Sequence, residues 1–151
     1  MKPSLRPELR HDTRIVGRSS GNRLVFVVPA EVWAFEAQAR LVFVHGTQGR
    51  FDVDMSLTEL ESPLGSPFLR VHRNWLVGLA KVRELRWKEG FMHLFVGEGV
   101  PGTSADTRGV EVPVAGDRVR EVRRHLLAGT IGVVSRRARG GVATLTLARP
   151  A

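Results

Sequence analysis

The chain has 151 residues, 42% of them hydrophobic and none of them cysteine; the length suits one domain with a real core, and the cysteine count excludes disulfides and thiolate metal sites. No apolar run approaches the roughly 18 residues that cross a bilayer, and the opening MKPSLRPELRHD lacks the apolar stretch of a signal peptide, so a cytoplasmic protein without membrane insertion is expected. Arginine and lysine number 23 against 15 aspartates and glutamates, a formal charge of +8, which favours a polyanionic partner, nucleic acid ahead of a membrane surface.

Residues 1–12, with Pro3 and Pro7 and no periodicity, read as a flexible tail. Short β-like segments follow. Residues 14–18 and 23–28 (RLVFVV) flank Ser19-Ser20-Gly21-Asn22 and predict a hairpin that stops at Pro29. Residues 31–36 (EVWAFE) and 40–45 (RLVFVH) form the next predicted pair, joined through Ala37-Gln38-Ala39. Gly46-Thr47-Gln48-Gly49 is a turn, and residues 50–54 alternate as a half-buried strand should.

The period then changes. Leu57, Leu60 and Leu64 stand at i, i+3 and i+7, with Ser56 as N-cap and Glu59 three residues on, so a capping box opens a short helix that Pro63, Gly65 and Pro67 are expected to close. Residues 68–71 (FLRV) and 82–87 (VRELRW) read as extended, with 72–79 as a tight loop between them. Residues 91–96 (FMHLFV) form a further strand, and 110–114 (VEVPV) are expected to pair back across the intervening loop. Residues 116–127 carry Val119, Val122, Leu126 and Leu127 on one face and Arg120, Arg123 and Arg124 on the others, which predicts a second helix. Residues 129–151 form a basic C-terminal extension, either a hairpin with Arg136 and Arg137 in its turn or a partly disordered arm. The expected fold is mainly β with two short helices, a single domain over residues 13–128.

No catalytic chemistry stands out. Gly97-Glu98-Gly99-Val100-Pro101-Gly102 satisfies the dinucleotide-binding pattern formally, but Pro101 interrupts where a helix would have to begin, so the run reads as a hairpin connection. The five histidines lack ligand spacing, and Asp52 and Asp54 share one face of a strand as a solvated pair. Neither an enzyme nor a cofactor is expected.

The informative stretch runs from Phe68 to Glu84. Phe68, Val71, Leu76, Val77 and Leu79 can anchor a loop at both ends, leaving Arg73 and Asn74 on a stiff platform. Arginine can bridge guanine O6 and N7 and asparagine adenine N6 and N7, so the pair suits base reading in DNA. On residues alone, Arg70 and Arg73 could equally cover a sheet edge while Asn74 forms a turn. Only Lys2, Lys81 and Lys88 are lysines; that preference for arginine suits phosphate and guanine, and a GC-rich genome would produce it too.

Phe35-Glu36-Ala37, Val42-Phe43-Val44-His45-Gly46, Ser56-Leu57-Thr58-Glu59-Leu60-Glu61 and the run from Phe68 to Glu84 together resemble the LytTR family of bacterial response-regulator output domains, whose pattern ends in F-x-R-V-H-R-S-Y-L-V-N-L. Val112-Pro113-Val114 onward echoes the family's closing I-P-V-S-R-R, and the likeness covers about residues 14–128. It implies an elongated β fold that reads double-stranded promoter DNA with loops in successive major grooves. The loops carried over by position are Gln38 to Arg40, Arg73 with Asn74, and the start of the last helix at Arg118; phosphate contacts are expected from Arg70, Lys81, Arg120, Arg123, Arg136 and Arg137.

The chain departs from the family pattern at Asn74-Trp75 for Ser-Tyr, at Gly78 for Asn, and at Ala115-Gly116-Asp117 for S-R-R. Asp117 is expected to cap the helix. From Gly116 to Arg139, seven arginines stand against Asp117 and Glu121, a local +5 that compensates for the lost pair. A homodimer on two half-sites, and a separate signalling partner in place of a receiver domain, complete the expectations. The alternative is a degenerate LytTR-like module that pairs with another regulator or a membrane partner without reading DNA.

Overall fold

Ten strands and two α-helices form along the described part of the chain, residues 13–103 and 105–132 of a computed structural model. The expected tail at 1–12 and the extension beyond residue 132, with Arg136 and Arg137, lie outside the described residues.

In chain order the strands are β1 (Ile15–Ser19), β2 (Arg23–Val27), β3 (Val32–Gln38), β4 (Leu41–Gly46) and β5 (Gly49–Val53). Helix α1 (Leu57–Leu64) separates these from β6 (Phe68–His72) and β7 (Trp75–Gly78). Strands β8 (Val82–Lys88), β9 (Phe91–Glu98) and β10 (Arg108–Pro113) precede helix α2 (Val119–Leu127). The first seven strands make one sheet in the order β2-β1-β5-β4-β3-β7-β6, and the last three a second in the order β10-β9-β8; every pairing is antiparallel.

Two cores explain the layering. On one face of the large sheet, Phe35, Val44, Phe51 and Leu76 pack with Leu57, Leu60 and Leu64 of α1. Each of those leucines is at most 4% exposed, so each contributes about 1.5–3 kcal/mol of burial, which holds the short helix in place. On the other face, Trp33, Ala34, Trp75 and Val77 pack with Met92, Leu94 and Val96 of the small sheet and with Val122 of α2. Strands β3 and β7 are therefore covered on both sides, and their sequences VWAF and WLVG lose the apolar-polar alternation of the flanking strands.

The elements expected from sequence recur within a residue or two, with three corrections. Residues 72–79 are no open loop: Trp75–Gly78 is a strand that pairs with both β6 and β3, and only Arg73 and Asn74 form the turn. Pro63 does not close α1 but sits in its last turn, and the helix ends at Gly65 with φ of 72°. Asp117 does not cap α2. It lies within a 3-10 turn over Gly116–Arg118, Arg118 is the N-cap, and neither Arg118 nor Ala115 ahead of the turn supplies a side-chain cap.

Candidate nucleic-acid interface

The turns at 39–40 and 73–74 come together because β3 and β7 are neighbours. Ala34, Phe35 and Glu36 face Val77, Leu76 and Trp75 in register. Past them the Ala37 N–H donates to the Asn74 carbonyl at 2.9 Å, so the seam runs out to the tip of the second hairpin. Arg40 and Arg73 line one groove of about 550 Å³, with Arg70, Leu41, Asp54, Ser56 and Thr58.

Each turn has its own local physics. Ala39 and Arg40, at φ of 51° and 70°, are both left-handed, as a two-residue hairpin turn of this hand requires, although such turns favour asparagine or glycine. The 73–74 turn is held by its backbone. From Arg70, Nε donates to the His72 carbonyl at 3.1 Å, Nη2 to the Arg73 carbonyl at 2.9 Å and Nη1 to Glu61 of α1 at 2.5 Å. The Asn74 N–H donates to His72 Nδ1 at 3.1 Å, which leaves a neutral imidazole with its proton on Nε2. Burial first, then the positive charges of Arg73 and Arg70, hold the His72 pKa below its ordinary value.

The third segment docks on the same hairpin. The Ala115 N–H donates to the Val71 carbonyl at 2.9 Å, and Arg118 Nη1 donates to the Arg70 carbonyl at 3.2 Å while lying 3.6 Å from Glu121.

The residues singled out from sequence thus fall into groups. Arg40 and Arg73 are exposed, and among the described residues no hydrogen bond or ion pair engages either guanidinium. Asn74 is half-buried, with both its backbone groups bonded. Gln38 is exposed and accepts from Arg50 at 3.0 Å, whose guanidinium lies 3.8 Å over the Phe43 ring. Arg120 is exposed on α2, and Arg123 is half-buried there with a partner of its own. Lys81 is not brought to this end. It follows β7 at the opposite tip and pairs with Glu98 at 2.9 Å, which also accepts from Trp33 Nε1 at 3.2 Å; the Lys81 hydrogen bond is the main reason the Glu98 carboxyl is held below its usual range.

Sequence reasoning missed His72 as the acceptor within the turn, Glu61 as the partner of Arg70, and the left-handed pair at 39–40. It also missed the cation beside Asp52 and Asp54: Arg18 lies 3.6 Å from the first and 2.6 Å from the second, which raises its own pKa, while Asp54 stays 79% exposed. The spacing of Glu61 in a capped helix ahead of Arg70 was visible, but nothing local tells that the two elements meet.

Comparison with known proteins gives three findings. Residues 22–127 match the family model of the LytTr DNA-binding domain. Over 100 residues the chain is 37% identical to a CO-responsive transcriptional regulator, RcoM, of Rhodospirillum rubrum; the match takes in 64% of this chain and 42% of that protein's length. The fold is similar to that of a LytTr DNA-binding domain from Bacillus cereus, with a TM-score of 0.63 and 19% identity, over 76% of this chain and 97% of the other.

Proposed function

Since the chain belongs to the LytTR family of DNA-binding domains, we propose that it is a sequence-specific transcriptional regulator which lays its turns into successive major grooves of promoter DNA. The observation that carries this reading is the pair of unengaged guanidinium groups, Arg40 and Arg73, on two adjoining turns of one groove. Most other arginines of the described residues are taken up internally, as Arg18 by Asp54 and Arg70 by Glu61. An arginine left without a protein partner on a rigid turn keeps its donor fork for guanine or phosphate. Similarity to a transcriptional regulator supports the regulatory half of the proposal.

In this reading Arg73 and Asn74 contact bases, Gln38 and Arg40 read the adjoining groove, and Arg118, Arg120 and Arg123 lie along the backbone. Residues 13–128 are the DNA-binding unit, and the extension with Arg136 and Arg137 adds nonspecific attraction. Two copies bind two half-sites, so the recovered site carries a repeat.

The test is selection of binding sites from random duplex DNA by the purified chain. An enriched motif is expected; recovery of unenriched sequence sinks the proposal. One observation favours the second reading, a module that pairs with another regulator or a membrane partner. Asp117 is exposed where the third loop should meet phosphate, and Arg118 gives one of its donors to the Arg70 carbonyl. That module would show negligible DNA binding at any salt concentration, whereas a DNA reader loses affinity with a log-log slope of roughly −0.9 per phosphate neutralised.

A further inference from the structure

We infer that Arg70 is a positioning residue for the base-reading turn and makes no phosphate contact, although its charge and place beside Arg73 suggest one. The inference rests on the DNA-reading function proposed above.

Three observations carry it. First, the guanidinium is already spent inside the protein: its Nε, Nη1 and Nη2 each donate to a protein acceptor, namely the His72 carbonyl, Glu61 and the Arg73 carbonyl. Second, its side chain is 19% exposed and its positive charge is matched by the Glu61 carboxylate at 2.5 Å. A cation neutralised in this way releases no counterion from DNA unless the ion pair breaks first. Third, the acceptors are successive carbonyls of the very turn that presents Arg73 and Asn74. Together with the bonds from the Asn74 N–H to His72 and from the Ala37 N–H to the Asn74 carbonyl, they engage four polar backbone groups between residues 72 and 74.

Only a planar fork satisfies that geometry. Lysine's three donors diverge from one nitrogen, so they do not match acceptors that are spread over Nε, Nη1 and Nη2. Arg70 also has a backbone role, since its carbonyl accepts from Arg118 at 3.2 Å, so the third segment leans on the same strand. The turn is thus tied to α1 through Arg70, and the strand that leads into it is held by the segment before α2, with the Arg73 side chain left free to meet a base.

Arg70→Lys and Arg70→Gln, compared with the wild type in site selection and in salt titrations of the selected duplex, test the assignment. A positioning role predicts that both variants weaken specific binding about tenfold, on the scale of one charge-assisted hydrogen bond. Both should relax preference at the base positions read by Arg73 and Asn74 and leave the salt slope at its wild-type value. Arg70→Lys binding like the wild type, or Arg70→Gln lowering the slope by about 0.9, would mark a phosphate contact and overturn the inference.

If the Arg70 variants do not fold, Glu61→Gln loosens the same fork from an exposed helix position. Relaxed base preference in that variant supports the inference, and unchanged preference overturns it. A wild type that enriches no motif is a different failure: it removes the DNA-reading function itself, and the inference with it.

Discussion

Arg73 and His72 are adjacent, yet they use the turn in opposite ways. Arg73 sends its side chain outward without a partner, while His72 turns its ring inward and accepts the Asn74 N–H. Replacing Arg73 with alanine is expected to cost about 1–3 kcal/mol of specific binding and to relax one base position, the usual worth of a bidentate contact. Affinity for the selected site and for its single-base variants measures it. His72 adds a dependence on pH. Its folded pKa lies below the ordinary 6.5 because burial, then Arg73 and Arg70, disfavour the charged ring. The sign follows from the neutral form being the native one: the contribution to stability is fully present above about pH 6.5 and is lost as pH falls through the folded value. Protonation puts a hydrogen on Nδ1 and ends its role as acceptor. Exchange of the Asn74 amide is therefore expected to gain an excess acceleration on acidification from pH 7 to 5, absent in His72→Asn, whose amide oxygen can still accept. Equal pH dependence in the two proteins would refute this. Arg73 and Asn74 were legible in the sequence as a polar pair inside an apolar run. His72 was not, because a lone histidine gives no sign of which backbone group it serves.

At the scale of elements, the two-residue turn between β3 and β4 keeps alanine and arginine where glycine or asparagine would be more comfortable. A left-handed residue with a Cβ costs roughly 1–2 kcal/mol, partly offset by the greater freedom that glycine has in the unfolded chain. Arg40→Gly is therefore expected to raise stability by roughly 0.5–1 kcal/mol in urea unfolding. In the same protein specific DNA binding should weaken by about 1–3 kcal/mol, the worth of a base contact. Opposite signs in the two measurements would mark Arg40 as a residue retained for function against local preference; lower stability in Arg40→Gly would mean that its side chain packs instead. Sequence reading placed this connection at Ala37-Gln38-Ala39 and missed its left-handed pair, because neither Ala39 nor Arg40 carries a turn signal. The start of α1 did not escape, since Ser56 Oγ accepting from the Glu59 N–H, and the Glu59 carboxylate accepting from the Ser56 N–H, are chemistry within four positions. The strand Trp75–Gly78 was hidden for another reason: burial on both faces erases the alternation that identifies a strand. Asp117 was misjudged because a 3-10 turn over Gly116–Arg118 moves the N-cap to Arg118 and the helix start to Val119.

For the molecule as a whole, the order of the large sheet matters more than its individual strands. Its hairpins are local, but β3 meets β7 across some forty positions of chain, through Ala34, Phe35 and Glu36 against Val77, Leu76 and Trp75. Long-range pairings of this kind are set by the complete fold and leave no periodicity in sequence, which is why the proximity of Arg40 to Arg73 could not be read from the chain. The likeness to a family supplied the list of turns, and the sheet order supplies their adjacency. The seam has a thermodynamic consequence too. Because its last hydrogen bond joins Ala37 to Asn74, one turn cannot be released by opening the sheet there without loosening the other. The two turns should therefore belong to one cooperative unit: in native-state exchange at rising denaturant, the amides of Ala37 and Asn74 are expected to converge on a single opening free energy. Two separate isotherms would show that they open independently. If they open together, ordering by DNA at one turn lowers the ordering cost at the other, so recognition at the two turns becomes coupled without any change of shape.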